Sequence, residues 1–166
     1  MHGSLLQRLP DPLPTIVPPP PEATLGDKPW IVVDRTAHTL TLLRNGQSQF
    51  VTYVSLGQAG KDTPAGDYTT WGKYRADRMS NAANPDADHA YNLPNVPFVQ
   101  YFKDGGYAIH GTYWSDNFGT DASQGCVNLT WTDAAYLFDQ TLPQTPADAS
   151  GGDDRREATP VVILGN

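Results

Sequence analysis

Turn-forming residues punctuate this sequence almost throughout, with fifteen glycines and fifteen prolines. That density favours a loop-rich, β-dominated fold. The clearest local signal is the alternation Thr39-Leu40-Thr41-Leu42-Leu43 followed by Asn45-Gly46, the dipeptide of a type I′ hairpin turn. A returning strand is expected over 49–56, and Trp30-Ile31-Val32-Val33-Asp34 reads as the strand ahead of the hairpin. Further strands are expected at 67–73, 98–102, 107–109 and 161–164, the first placed by a turn at Thr63-Pro64-Ala65-Gly66. His38 falls in a connection and reads as a solvated loop residue. One helix stands out. Thr130-Trp131-Thr132-Asp133 fits a capping box, and Trp131, Ala134, Ala135, Phe138 and Leu142 recur at helical spacing to about Gln140. That stripe is core, and the whole reads as a mainly β sandwich or barrel-like fold with one helix.

The length fits a single domain with a substantial core. Residues 9–28 are dominated by proline, including Pro18 to Pro21, so residues 1–28 are expected to form an extended arm or linker and 29–166 the folded domain. A net charge of −7 argues against a nucleic-acid binder, and no basic run is longer than Arg155-Arg156. No segment is apolar enough to span a bilayer, and residues 1–8 lack the apolar core of an export signal. A Gly-rich stretch, 57–66, contains no Gly-Lys-Ser/Thr sequence opening a helix, so a phosphate loop is rejected.

The chemistry concentrates between Tyr107 and Leu129. The apolar run Tyr107-Ala108-Ile109 delivers His110 to a strand end, and the one cysteine of the chain, Cys126, follows sixteen residues later in Ser123-Gln124-Gly125-Cys126-Val127-Asn128. A single cysteine excludes an intrachain disulfide and a multi-cysteine zinc site. A lone Cys is commonly a small buried hydrophobe, and a His after a strand is commonly structural. Paired, they are a candidate nucleophile and base, the imidazole taking the thiol proton or stabilising the thiolate as an ion pair. Gly125 and Gly111 permit backbone angles that aim peptide N–H groups at a reacting oxygen.

The arrangement IHGTYW … ASQGCVNL resembles the YkuD-type L,D-transpeptidase domain at His110, Gly111, Ser123, Gly125, Cys126 and Asn128. The opening IVVDRTAHTLTLLRNGQ and the Thr63-Pro64-Ala65-Gly66 element are similar to the same family, so the resemblance covers about 29–164. It implies the YkuD fold, Cys126 as acyl-accepting nucleophile and His110 as its base. It implies an oxyanion and support group of Gly125, Gln124, Ser123 and Gly111, and substrate contacts from Asn128, Tyr91, Trp114, Arg75 and Met79. Gln124 stands where the family usually has His, which alters the donor set. The resemblance further implies peptidoglycan stem peptides as substrate, carbapenem-type β-lactams as inhibitors, no cofactor, and an extracytoplasmic or secreted setting. Cross-linking by transpeptidation is the expected function. Hydrolysis of the same thioester (an L,D-carboxypeptidase or another cysteine peptidase) and a non-catalytic wall-binding module are the rivals.

From Tyr74 to Pro97 the sequence has no periodicity, and a long loop is expected there, acting as a lid or substrate wall with Arg75, Arg78, Met79 and Tyr91 as contacts. Asp86, Asp88 and His89 show no recognised ligand spacing and read as a solvated acidic loop. No metal is expected.

Overall fold

The computed structural model describes residues 26–81, 91–142 and 158–165. The proline-rich arm, the Asp86–His89 stretch and most of the 143–159 insertion lie outside them. In chain order the strands are β1 (Trp30–Asp34), β2 (Thr39–Arg44), β3 (Gln47–Tyr53), β4 (Leu56–Gly57), β5 (Gly66–Thr69) and β6 (Gly72–Ser80). There follow β7 (Asn92–Lys103), β8 (Tyr107–Gly111), β9 (Asp121–Ser123), β10 (Val127–Leu129), the helix α1 (Trp131–Gln140) and β11 (Pro160–Leu164). One sheet runs β3-β2-β1-β11-β5 and a second β10-β8-β7-β6, with β4 and β9 paired separately. The expected mainly β fold with one clear helix is what the described residues form.

The first sheet starts from local chemistry. Asn45 and Gly46 both take positive φ, 50° and 70°, as a type I′ turn requires. β1 and β2 then pair antiparallel with Ile31 opposite Leu42 and Val33 opposite Leu40. These side chains join Val161 and Ile163 of β11 and Phe102, Ile109, Val127 and Leu129 of the second sheet in one buried cluster. Residues of both sheets in one core make the sandwich. Each such side chain contributes about 1.5–3 kcal/mol by leaving water.

Three expectations need correction. The strand expected over 67–73 is two strands, because the chain changes sheets between neighbouring residues. Thr70 N–H donates to Thr159 beside the first sheet, and Trp71 N–H donates to Tyr101 in the second, both at 2.9 Å. The strand expected over 49–56 ends earlier, at Tyr53, before the short β4. Most of the loop expected over 74–97 is instead a ribbon in which β6 and β7 pair from Gly72–Tyr101 out to Ser80–Asn92. Its residues alternate poorly because much of the ribbon is exposed, while backbone pairing needs no particular side chain. Asn81 and Tyr91 close its described end, Tyr91 N–H donating to Asn81 Oδ1 at 2.7 Å.

The helix is where the sequence places it, with Thr130 as N-cap accepting from Asp133 N–H. The capping box is half formed, because the Asp133 carboxylate instead accepts from Thr52 Oγ1 at 2.6 Å. The buried stripe is Ala134, Leu137 and Phe138. Trp131 is 53% exposed, its ring edge-on to Phe98. His38 is likewise no free loop residue: its Nε2 lies 2.8 Å from Asp121 Oδ1, tying the β1–β2 connection to β9.

Lys73 enters the core beneath α1 with 1% of its surface exposed. Its ammonium donates to the carbonyls of Phe138 and Thr141 and lies 4.2 Å from the Phe138 ring centre. A cation at a helix C-terminus answers the carbonyls the helix leaves unpaired. Burial pulls its pKa down to about 8, leaving it charged at neutral pH. Lys73→Met should keep the volume and withdraw the donor from both carbonyls. We expect a loss of about 2–3 kcal/mol, seen as a fall of roughly 4–12 °C in Tm by thermal unfolding.

Candidate active site

β8 and β10 lie side by side in parallel, with Ile109 against Val127 and His110 against Asn128. Register partners project to the same face of a sheet, so this pairing puts the His110 and Cys126 segments on one wall. His110 is 3% exposed, and its Nδ1 lies 2.9 Å from the Gly111 carbonyl oxygen. A carbonyl only accepts, so Nδ1 carries the proton and Nε2 keeps its lone pair. Burial lowers the His110 pKa to about 4, with the Gly111 hydrogen bond acting in the opposite direction. The ring is therefore neutral at pH 7.

Gly111 differs from its expected role. It has no left-handed backbone to present an N–H; a Cβ there would instead stand 3.0 Å from Pro97 Cγ and 3.1 Å from Ala134 Cβ. Glycine lets β8 pack closely against β7 and α1, and its carbonyl fixes the His110 tautomer.

Cys126 leaves a tight turn. Gly125 has φ 116°, and a Cβ on it would come within 2.8 Å of the Tyr107 ring. Ser123 Oγ accepts from Gly125 N–H at 3.1 Å and donates to the Cys126 carbonyl at 2.6 Å. The Gly125 N–H is thus engaged by Ser123 in this turn. A neighbouring turn holds this one from behind. Gln58 N–H donates to the Ser123 carbonyl at 3.0 Å. Thr63 Oγ1 accepts from Gly57 N–H at 2.9 Å and donates to the Gly125 carbonyl at 3.0 Å. Lys61 Nζ donates to Gln124 Oε1. The sequence signals a turn only at Thr63-Pro64-Ala65-Gly66 and gives no sign of this bracing.

The Cys126 thiol, half-buried, donates to the Gly106 carbonyl at 3.6 Å. Burial pushes its pKa up to about 11, against a hydrogen bond with the Ala108 backbone that lowers it. Of the two resting states left open by the sequence, the neutral thiol with neutral imidazole is the one these environments favour.

Both groups line a cleft of about 480 Å³, within the range of small-molecule sites. Met79, Tyr91, Trp114, Ser123, Gln124 and Asn128 line it too. The Trp114 ring centre lies 5.8 Å from that of His110. Asn128 is tied through its backbone to Ser55 on both sides, and its buried Oδ1 has no hydrogen-bond partner among the described residues. Arg75 and Arg78 do not line the cleft. Arg75 sits 5.7 Å over the Phe138 ring, and Arg78 Nε donates to Asn92 Oδ1 at 2.7 Å. Arg78 stands next to Met79 in β6 and so projects to the other face, while Arg75 is drawn to the Phe138 ring. Leu93, Gly105, Gly106, Tyr107, Ser115 and Ala122 complete the wall without a sequence signal pointing to them. Among the described residues no three His, Cys, Asp or Glu side chains gather as metal ligands.

The neutral burial of His110 has a consequence for stability. The unfolded chain takes up this proton near pH 6.5 and the folded chain only near 4, so stability present above pH 6.5 is lost as pH falls through 4. The expected loss is about 3 kcal/mol. Urea midpoints measured from pH 7 to 4 should fall more steeply in the native protein than in His110→Gln, whose side chain does not titrate.

The same fold occurs in known proteins. A family model of the L,D-transpeptidase catalytic domain, YkuD, matches residues 28–163. L,D-transpeptidase 1 of Mycobacterium tuberculosis is 30% identical over 131 residues, covering 76% of this chain and 52% of that protein. The chain therefore spans about half the length of the curated relative it matches. A structure of the L,D-transpeptidase LdtMt1 in complex with imipenem superposes with TM-score 0.70 at 26% identity, covering 84% of this chain and 60% of the other. An L,D-transpeptidase from Mycobacterium smegmatis shares the fold at TM-score 0.68 and 24% identity, over 83% and 59% of the two chains. With the family match running from just before β1 into β11, this chain belongs to the YkuD family of L,D-transpeptidase catalytic domains.

Proposed function

We propose that the cleft is the acylation site of an L,D-transpeptidase that cross-links peptidoglycan stem peptides outside the cytoplasm. The observation that carries this reading is the pairing of Cys126 and His110 in one cleft, with Nδ1 of the imidazole committed to Gly111 and the Nε2 lone pair left to take a proton. Cys126 Sγ attacks the carbonyl that joins the L-centre of a diamino acid to the terminal D-alanine, and its proton passes to His110 Nε2. The S–C bond forms as the carbonyl oxygen takes up negative charge. The C–N bond then breaks, the leaving amine takes the proton from His110, and a thioester remains on Cys126. An amine of a second stem gives its proton to His110 and displaces the thiolate, which recovers a proton from the imidazolium.

A buried neutral thiol suits this order of events. Its proton moves as the substrate binds and water leaves, so the resting enzyme holds no exposed thiolate open to oxidation. Met79 and Tyr91 from the ribbon and Trp114 from the opposite connection would contact the stem. The arm of residues 1–28 would serve as a spacer ahead of the catalytic domain.

Imipenem, held by the LdtMt1 structure, is the test reagent. Its β-lactam amide presents a carbonyl and a C–N bond to the same attack, so one equivalent should add to Cys126 by intact-protein mass spectrometry. Cys126→Ser should abolish the adduct, and His110→Ala should slow it roughly a hundred- to ten-thousandfold. An adduct mapped to another residue would overturn the reading. Product analysis of a stem tetrapeptide with and without an amine acceptor separates cross-linking from hydrolysis.

Alkylation by iodoacetamide reports the thiol itself. With the Cys126 pKa at about 11, the rate should climb roughly tenfold per pH unit from 7 to 10. A plateau below pH 8 would show a thiolate already formed.

A further inference from the structure

The cleft needs hydrogen-bond donors for the oxyanion formed as Cys126 attacks, and one expected donor is occupied: Gly125 N–H is held by Ser123 Oγ. The neighbouring side chain that lines the cleft is Gln124. A primary amide presents either its oxygen or its NH2 to a given direction, and here the choice is made by an outside group. Gln124 Oε1 accepts from the Lys61 ammonium, which has donors and no acceptor. The amide oxygen therefore faces Lys61, and the NH2 group is directed away from it.

Lys61 is not a cleft residue. It sits in the turn behind the Cys126 segment, where its own N–H donates to the Gln58 carbonyl at 2.8 Å and Gln58 N–H donates to Ser123 at 3.0 Å. The ammonium and the amide it grips are thus carried by two turns that are themselves hydrogen-bonded together.

We propose that Lys61 is a positioning residue that acts through Gln124, turning the amide NH2 toward the oxyanion at Cys126 and polarising it. This rests on the acylation reading given above. As the S–C bond forms, the carbonyl electron pair moves onto oxygen, and Gln124 N–H donates to it. When the C–N bond breaks, that pair returns to the carbonyl; nothing is transferred to Gln124 or Lys61. A neutral donor is roughly half as strong as a charged one, and chained hydrogen bonds polarise each other. Lys61 thereby lends part of its charge to the position where the family usually carries His.

The test compares two reactions at the same sulfur. Acylation by imipenem passes through an oxyanion; alkylation by iodoacetamide displaces iodide from a CH2 group and forms none. Removing the donor in Gln124→Ala should slow acylation about a hundredfold. Lys61→Met should slow it roughly tenfold and Lys61→Arg should restore most of the rate. Lys61→Met added to Gln124→Ala should cost nothing further, since the intermediary is gone. Alkylation rates and Tm should stay near native in every variant. Native-rate acylation in Lys61→Met would overturn the proposal, as would an equal penalty in the Gln124→Ala background. Parallel losses in acylation and alkylation would overturn it too, by showing that Lys61 acts on the thiol or the turn. A native protein that is alkylated at Cys126 yet never acylated would overturn the acylation reading itself.

Discussion

Burial of two ionisable groups without charge is the condition on which the cleft depends. His110 and Cys126 sit where low polarity disfavours imidazolium and thiolate alike. The cost of this arrangement is kept small because each group has a backbone carbonyl to receive its proton: Gly111 for Nδ1 and Gly106 for the thiol. The parallel pairing of β8 with β10 then fixes where both segments lie. An ion pair would have been held by its own attraction. A neutral pair has little attraction of its own, so the surrounding backbone must hold it in place.

That demand explains the number of hydrogen bonds around so short a turn. Ser123 closes it from within, and Gln58, Thr63 and Lys61 grip it from behind. Together these contacts hold the backbone at Ser123, Gly125 and Cys126 and the side chain of Gln124. Preorganisation of this kind is what lets dipoles act on a developing charge without first rotating to meet it.

What could be read from the sequence was local. The 39–46 alternation and turn, the strand before His110, the Thr130 cap and the Gly-Cys pair each state their geometry within a few residues. The β6–β7 ribbon was illegible because its pairing is between backbones and much of its surface is polar and exposed. Trp131 continued a helical apolar period and still came out exposed, since which face is buried depends on where the sheet lies. Thr63 and Lys61 were hidden for a different reason. Their partners stand about sixty residues away, and a threonine in a turn announces no such contact. Arg75 was expected in the site because it lay in a supposed lid, and its contact in the strand is with the Phe138 ring of the helix.

The order of the first sheet sets how this domain assembles. β11 lies between β1 and β5, so a strand made after position 159 fills the middle of a sheet begun at position 30. The β1–β3 hairpins can form early, yet the edge of β1 that β11 covers stays open until nearly the whole domain is available. Contacts of such sequence separation slow folding and leave apolar edges exposed while it proceeds. Assembly is therefore gated by its latest strand, and the interval before that strand docks is when this chain is most open to pairing with another copy of itself.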